Sequence, residues 1–332
     1  MADRDPAGAD ELSLGLGLFS MPLPDGWEFK AVTPVVGFLR MADGTVIRAD
    51  VWSVEDPEAI AAQDVAPYLA EDGMPIPDGP LDALLDNLLV GRQGATASGG
   101  ETLLWKSVSL FEGRLLRVAR LAAELEQRLD AARAAALMSR VSAALLRGRF
   151  SPGPTPFDRV AITPDLMVRN ILDRIFLRVP PRWELGYEDD GRPGFEAIGE
   201  AVSPDTTLWV NYDDFPMPGS DAFGVEERQA AANSFIDMVG LGDSGARQDM
   251  PDGAWVESDE GEREEKGLRL RFRSFRRIAI GANGGTIAHF NLVLMAEEAD
   301  SEAAQALIAR VREESQRAVV LTGPIGPDGW PG

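Results

Sequence analysis

Three residues, Pro, Trp and Glu, recur in this chain with the same spacing. Pro24-Asp25-Gly26-Trp27-Glu28 is matched by Pro180-Pro181-Arg182-Trp183-Glu184. Each follows an apolar run and ends it with proline, because proline has no N–H to give to a sheet ladder. A chain that makes one such corner twice is constrained to fold as two similar units. Trp183 lies 156 positions after Trp27, and Trp209 stands at nearly the same step after Trp52. Further along, the step widens to 170. It then places Trp105 opposite Phe275, Asp130 opposite Asp300, Leu137 opposite Leu307, Arg140 opposite Arg310 and Val141 opposite Val311. Longer loops in the second copy account for the widening, since loop length is cheap to change.

The order of elements repeats as well. Alternation of Leu14, Leu16 and Leu18 predicts a strand over 13–21. A hairpin follows over 35–40 and 45–54, turning at Asp43-Gly44. A helix over 56–70 opens on Asp56-Pro57. Strands over 102–110 and 114–125 precede a helix over about 127–147, with Leu129, Ala132, Leu137, Val141, Ala144 and Leu145 on one stripe. The Pro- and Gly-rich SPGPTP stretch then breaks the pattern. The second copy reads as strands over 171–179, 194–202 and 206–215, a helix over 224–240, strands over 253–258, 268–281 and 286–298, and a helix over 300–319. Asp300 or Ser301 caps that last helix.

These readings give an α+β fold class, each copy an antiparallel sheet covered by helices. The expected division is a disordered tail over 1–12, a first repeat over 13–150, a linker over 151–170, a second repeat over 171–320 and a disordered tail over 321–332. Each repeat has an ordinary domain size.

Composition narrows the chemistry. The 332 residues include 54 acidic and 32 basic side chains, a formal net charge of −22. That balance opposes nucleic acid and anionic membrane surfaces and favours cationic or apolar partners. There is no cysteine, so disulfides and thiolate chemistry are excluded. No apolar run reaches the length that spans a bilayer. The acidic MADRDPAGADEL start lacks the features of a secretory signal. A cytoplasmic protein without stable membrane insertion is expected.

Single-residue candidates are few. His289 is the sole histidine, so a multi-histidine metal site is excluded. It reads as a polar position on a strand rather than a triad base. The acidic runs 187–191 and 211–215 lack the spacing of a calcium loop and read as solvated turns. The glycines of 281–285 lie between strands and read as a hairpin turn, not a phosphate cradle. The most unusual stretch is 268–277, where Arg269, Arg271 and Arg273 alternate with Leu268, Leu270 and Phe272. Acidic residues at 257–265 precede it and are expected to neutralise the arginines across a hairpin. The competing reading makes Arg269, Arg271, Arg273 and Arg276 a partner-binding surface for carboxylates. No catalytic group, cofactor or metal ligand is assigned.

The PLPDGW and VPPRW corners, the hairpins after them and a last strand leading into a helix resemble the Mog1/PsbP-like sandwich. The similarity is to its DcrB-like branch, which includes the Eag-type chaperones of type VI secretion effectors. Arg182 stands where the first corner has its turn glycine. The resemblance implies two tandem Mog1/PsbP-like domains and a non-enzymatic adaptor or chaperone whose partner is a secreted effector, held by an apolar helix. A duplicated chain would act as a monomer that is an internal pseudo-dimer, with the open sheet face as an apolar groove. The alternative is an immunity protein that neutralises a cognate toxin, its acidity matching a cationic surface.

Overall fold

The computed structural model describes residues 11–55, 89–95, 100–187, 193–197, 200–241, 245–265, 267–281 and 284–322, with backbone alone for 89–95 and 221. The helix expected over 56–70 and most of both expected tails lie outside them. The chain divides into two compact units, Met1–Pro164 and Asp165–Gly332.

The first unit contains β1 (Glu11–Leu14), β2 (Phe19–Pro22), β3 (Glu28–Thr33), β4 (Val36–Arg40), β5 (Val46–Glu55), β6 (Leu89–Ala95), β7 (Glu101–Phe111), β8 (Leu115–Leu125), α1 (Ala131–Leu145) and β9 (Arg149–Phe150). Its main sheet is antiparallel in the order β3-β4-β5-β8-β7-β6, and β1-β2-β9 form a small second sheet. The second unit contains β10 (Met167–Ile171), β11 (Ile175–Val179), β12 (Glu184–Tyr187), β13 (Pro193–Glu196), β14 (Thr207–Pro216), α2 (Val225–Val239), β15 (Arg247–Met250), β16 (Gly253–Glu265), β17 (Leu268–Gly281), β18 (Gly284–Met295), α3 (Glu302–Arg317) and β19 (Val319–Val320). Its sheets run β12-β13-β14-β18-β17-β16-β15 and β10-β11-β19. The two strand orders are the same, with β15 added at one edge of the second.

Strand registers make the correspondence residue-specific. Phe29 lies opposite Leu39 as Leu185 lies opposite Phe195, both pairs following from Trp27 matched to Trp183. Leu39 then pairs with Ile47, and Phe195 with Leu208. Ala49 faces Leu121 as Val210 faces Phe290. Leu121 faces Trp105 as Phe290 faces Phe275. The register walked from the first tryptophan pair thus arrives at the Trp105–Phe275 match, which the sequence reached separately.

Both Trp corners also share a hydrogen bond. Trp27 N–H donates to Pro24 O, and Trp183 N–H to Pro180 O, each at 3.0 Å. Gly26 uses a positive φ of 76° there. Arg182 is absent from the positive-φ residues, so the second corner closes with an ordinary backbone and needs no glycine.

Helices α1 and α3 cover the same face of their sheets. Ala134, Leu137 and Val141 are buried in one, Ala304, Leu307 and Val311 in the other. Asp130 caps α1 through Arg133 N–H at 2.8 Å, and Ser301, not Asp300, caps α3 through Ala304 N–H at 3.1 Å. The core under α1 gathers Leu39, Ile47, Trp105 and Leu121; that under α3 gathers Phe195, Leu208, Phe275 and Phe290. α2 packs on the opposite face of the second sheet, over Val256, Ile278, Ile280 and Ile287.

Several expectations are corrected. The stretch 13–21 is not one strand: Gly15, Leu16 and Gly17 all take positive φ and fold it into the β1–β2 hairpin. Likewise 171–179 is part of a hairpin that turns at Leu172 and Asp173, both at φ 54°. The stretch 151–170, expected as a linker, is structured. Phe157 and Val160 are buried, Asp158 is bound by Arg117 at 2.6 Å, and 167–170 belong to β10. A buried arginine that holds Asp158 and the Ser151 and Gly153 carbonyls outweighs the local Pro and Gly signal. The strand expected over 194–202 ends at Glu196. Ala132 is exposed rather than on the buried stripe. Finally, Trp52 and Trp209 are not equivalents. Register puts Arg48 in the place of Trp209 and Asp213 in the place of Trp52, because loop length changes between β4 and β5 relative to β13 and β14.

Candidate functional site

The arginine stripe is tied up by its own hairpin. Arg269 pairs with Glu262 at 2.6 Å, Arg271 with Asp259 at 2.5 Å, and Arg273 with Asp259 at 3.3 Å. Both acids sit on β16 beside its bulge, where Gly261 shifts the register at φ 78°. Burial pushes the Asp259 carboxyl up, but hydrogen bonds from Arg271 and the Gly261 N–H outweigh it and hold it below its usual value. The Arg271 guanidinium is raised chiefly by its bond to Asp259. The acidic arm therefore neutralises the stripe, and cross-strand pairs of this kind each contribute only a few tenths of a kcal/mol.

Arg276 is different. Side chains alternate along β17, so Arg276 points to the face opposite Arg269, Arg271 and Arg273. That is the sheet face away from α3. There it donates to Glu260 at 2.6 Å and to Ser258 Oγ at 2.7 Å. Burial raises the Glu260 carboxyl, and the Arg276 bond and charge more than reverse this, so it stays below its usual value. Ser274 Oγ donates to Asn291 Oδ1 at 2.6 Å beside it.

Across the sheet from Arg276 stands His289, and across from His289 stands Asn211. Three polar residues on three neighbouring strands thus form a row through the middle of the outer face. His289 Nε2 lies 3.2 Å from Asp213 Oδ2. Burial is the largest influence on the imidazole and lowers its pKa; Arg276 lowers it further, against Asp213 and Glu260. Asn211 Oδ1 is buried and has no hydrogen-bond donor among the described residues. Trp209 borders the row, and its indole lies over Gly194, where a Cβ would collide with the ring.

The first unit has the same row. Lys106, Arg120 and Asp50 are its members, at the registers of Arg276, His289 and Asn211. Asp50, 6 % exposed, accepts from Arg48 at 2.8 Å and pairs with Arg120 at 3.0 Å. Lys106 and Arg120 lie 5.8 and 5.3 Å from the Trp52 ring centroid. An indole borders each row, but from opposite sides, since Trp209 occupies the place of Arg48. Lys106 and Asp50 are buried, while Arg120, Arg276, His289 and the two indoles are partly exposed, so each row shows solvent a few polar groups beside an aromatic plate. The apolar groove expected for this face is therefore interrupted by polar residues at its centre.

Sequence reading found Arg276 but grouped it with the wrong neighbours, set Lys106 and Arg120 aside as sparser than the second-copy stripe, read Asn211 into a solvated turn where β14 runs, and passed over Asp50. Their signal exists only once strands are paired. A second polar element lies inside the α3-side core. Arg178 and Glu314 pair there beside a cavity of about 10 Å³, lined also by Trp183, Leu208 and Phe290. It has room for a single water molecule.

Among the described residues no cluster of three or more His, Asp or Glu side chains is placed to hold a metal ion. No helix among them is long and apolar enough to cross a membrane. No family model and no curated protein matches the chain. Among solved structures, the chain is similar to the di-domain ARO/CYC StfQ from the steffimycin biosynthetic pathway, at 7% identity over 91% of this chain and 86% of that one. The TM-score is 0.15.

Proposed function

We propose that the chain is a non-enzymatic protein-binding adaptor or chaperone made of two tandem Mog1/PsbP-like domains, docking a segment of a type VI secretion effector on the outer sheet faces. The observation that carries this reading is the recurrence of one polar row at matched registers in both units, each row bordered by an indole, though not at the same position. Two docking faces in one chain raise the effective concentration of the second contact once the first has formed. The protein would work in the cytoplasm as a monomer.

The test is purification of the tagged full chain from its native host. One protein recovered in stoichiometric amount, and lost when Arg276 and Lys106 are both replaced by Met, supports the reading. Recovery of no partner, or of one indifferent to both substitutions, overturns it. The net charge of −22 supports a second reading, an immunity protein that neutralises a cationic toxin. In that case the on-rate falls steeply with salt, as it does for electrostatically steered association.

A further inference from the structure

We infer that Leu16 and Leu172 are matched docking anchors, one in each unit, that insert into apolar, polar-rimmed pockets of a protein partner. This rests on the adaptor reading above and adds contacts to it outside the main sheet faces.

A strained turn is kept twice. Gly15-Leu16-Gly17-Leu18 joins β1 to β2, and Ile171-Leu172-Asp173-Arg174 joins β10 to β11. Each is closed by one hydrogen bond at 3.1 Å, from Leu18 N–H to Gly15 O and from Arg174 N–H to Ile171 O. Both central residues of each turn have positive φ, 51° and 87° in the first and 54° and 54° in the second. That backbone selects Asn, Asp or Gly, and a bulky apolar residue there is an outlier. Leucine nonetheless stands first in both pairs, 156 positions apart, the step that separates the corner tryptophans.

Burial sharpens the pattern. In each turn the first and last residues are buried and the central two exposed. The buried positions differ between the units: Gly15 answers to Ile171, and Leu18 to Arg174. Of the four positions only the exposed leucine is identical. Leu16 is 52 % exposed and Leu172 40 %. Packing inside the chain accepted change, while the strained side chain facing solvent did not change. Strain held at an exposed apolar residue points to a contact made outside the chain.

The flanks indicate what that contact is. Beside Leu172, the exposed Asp173 accepts from Asn170 Nδ2 at 2.8 Å. Beside Leu16 stand Gly17 and the Ser13–Ser20 pair of the same hairpin. Insertion into lipid would desolvate the Asp173 carboxylate together with the leucine, and a net charge of −22 opposes anionic lipid. A protein pocket takes the single apolar side chain and leaves its polar neighbours at a wet rim.

Asparagine suits the left-handed backbone but is no apolar anchor, whereas methionine keeps the anchor. Thermal melts of the full chain should place Leu16→Asn and Leu172→Asn level with the wild type or up to about 4 °C above it. A fall of several degrees means that the leucines hold the fold, and it overturns the inference. The binding probe is the protein that co-purifies with the tagged full chain. Its affinity should weaken about tenfold for each Asn variant, the loss of one buried leucine contact. Leu16→Met and Leu172→Met should stay within about threefold of the wild type. Asn variants that bind as the wild type does, while Arg276→Met with Lys106→Met still abolishes binding, overturn the anchors and leave the adaptor reading standing. Flotation of the wild-type chain with phosphatidylcholine vesicles, or its self-association in sedimentation, overturns the protein pocket if the Asn variants abolish it. Recovery of no protein with the wild-type chain overturns both readings.

Discussion

Arg178 donates to both carboxylate oxygens of Glu314, at 2.6 and 2.7 Å, inside the core between β11 and α3. Both side chains are buried. In the first unit the matching positions are Pro22, which is exposed, and Ala144, which is buried, so the ion pair has no charged counterpart there. Removing one partner strands a charge. Glu314→Ala is expected to destabilise the second unit by about 3–5 kcal/mol, while Arg178→Met together with Glu314→Ala recovers most of the loss. Urea unfolding of the three variants measures it. A double variant as unstable as the single one would refute the explanation.

The two corner tryptophans are expected to differ in weight. Trp183 is 1 % exposed and also donates its indole N–H to Glu200 at 3.3 Å. Trp27 is only partly buried. Trp183→Ala should cost about 3–5 kcal/mol, in the range for a fully buried aromatic, and Trp27→Ala clearly less. Equal costs by chemical denaturation would count against the assigned packing.

Two pH effects on stability follow. Asp43 has its pKa lowered to about 2, first by the hydrogen bond from Arg140, then by Thr45. A depressed carboxylate contributes stability above its ordinary value of 3.8, which is lost as pH falls from there towards about 2. Both partners are nearly half exposed, so the effect is small and salt-sensitive. Asp43→Asn should flatten this part of the acid limb without a large change at neutral pH. His289 is also lowered, by burial first. Its neutral form is favoured by folding, so stability is full above the ordinary value of 6.5 and declines as pH drops below it. His289→Gln should remove that decline in thermal melts.

The arginines of β17 separate into two classes. Arg269 is largely exposed, and Arg269→Ala should change stability by less than about 1 kcal/mol. Arg276→Met leaves Glu260 without its main partner and should cost about 1–3 kcal/mol. A larger loss from Arg269→Ala would reverse the assignment of stripe and row.

The repeat was legible because Pro-x-x-Trp-Glu is a local signal, and the helix stripes were legible because Leu137 and Leu307 keep a period of 3.6. Loop glycines were harder. Gly15 and Gly17 broke a strand that the leucine alternation had joined. Arg117 was invisible as an anchor for Asp158, since the two are far apart in sequence. The polar row was out of reach for a related reason. Asn211, His289 and Arg276 come from three strands, and no spacing along the chain brings them together. Even the Trp52–Trp209 match, close in step, fell to the register once β5 and β14 were paired.

Amide hydrogen exchange on the complex with the co-purified partner addresses the docking faces most directly. New protection centred on β5, β8, β14 and β18, around Asp50, Arg120, Asn211 and His289, is the expected result. Protection confined to the outward surfaces of α1 and α3, with those strands unchanged, would contradict it.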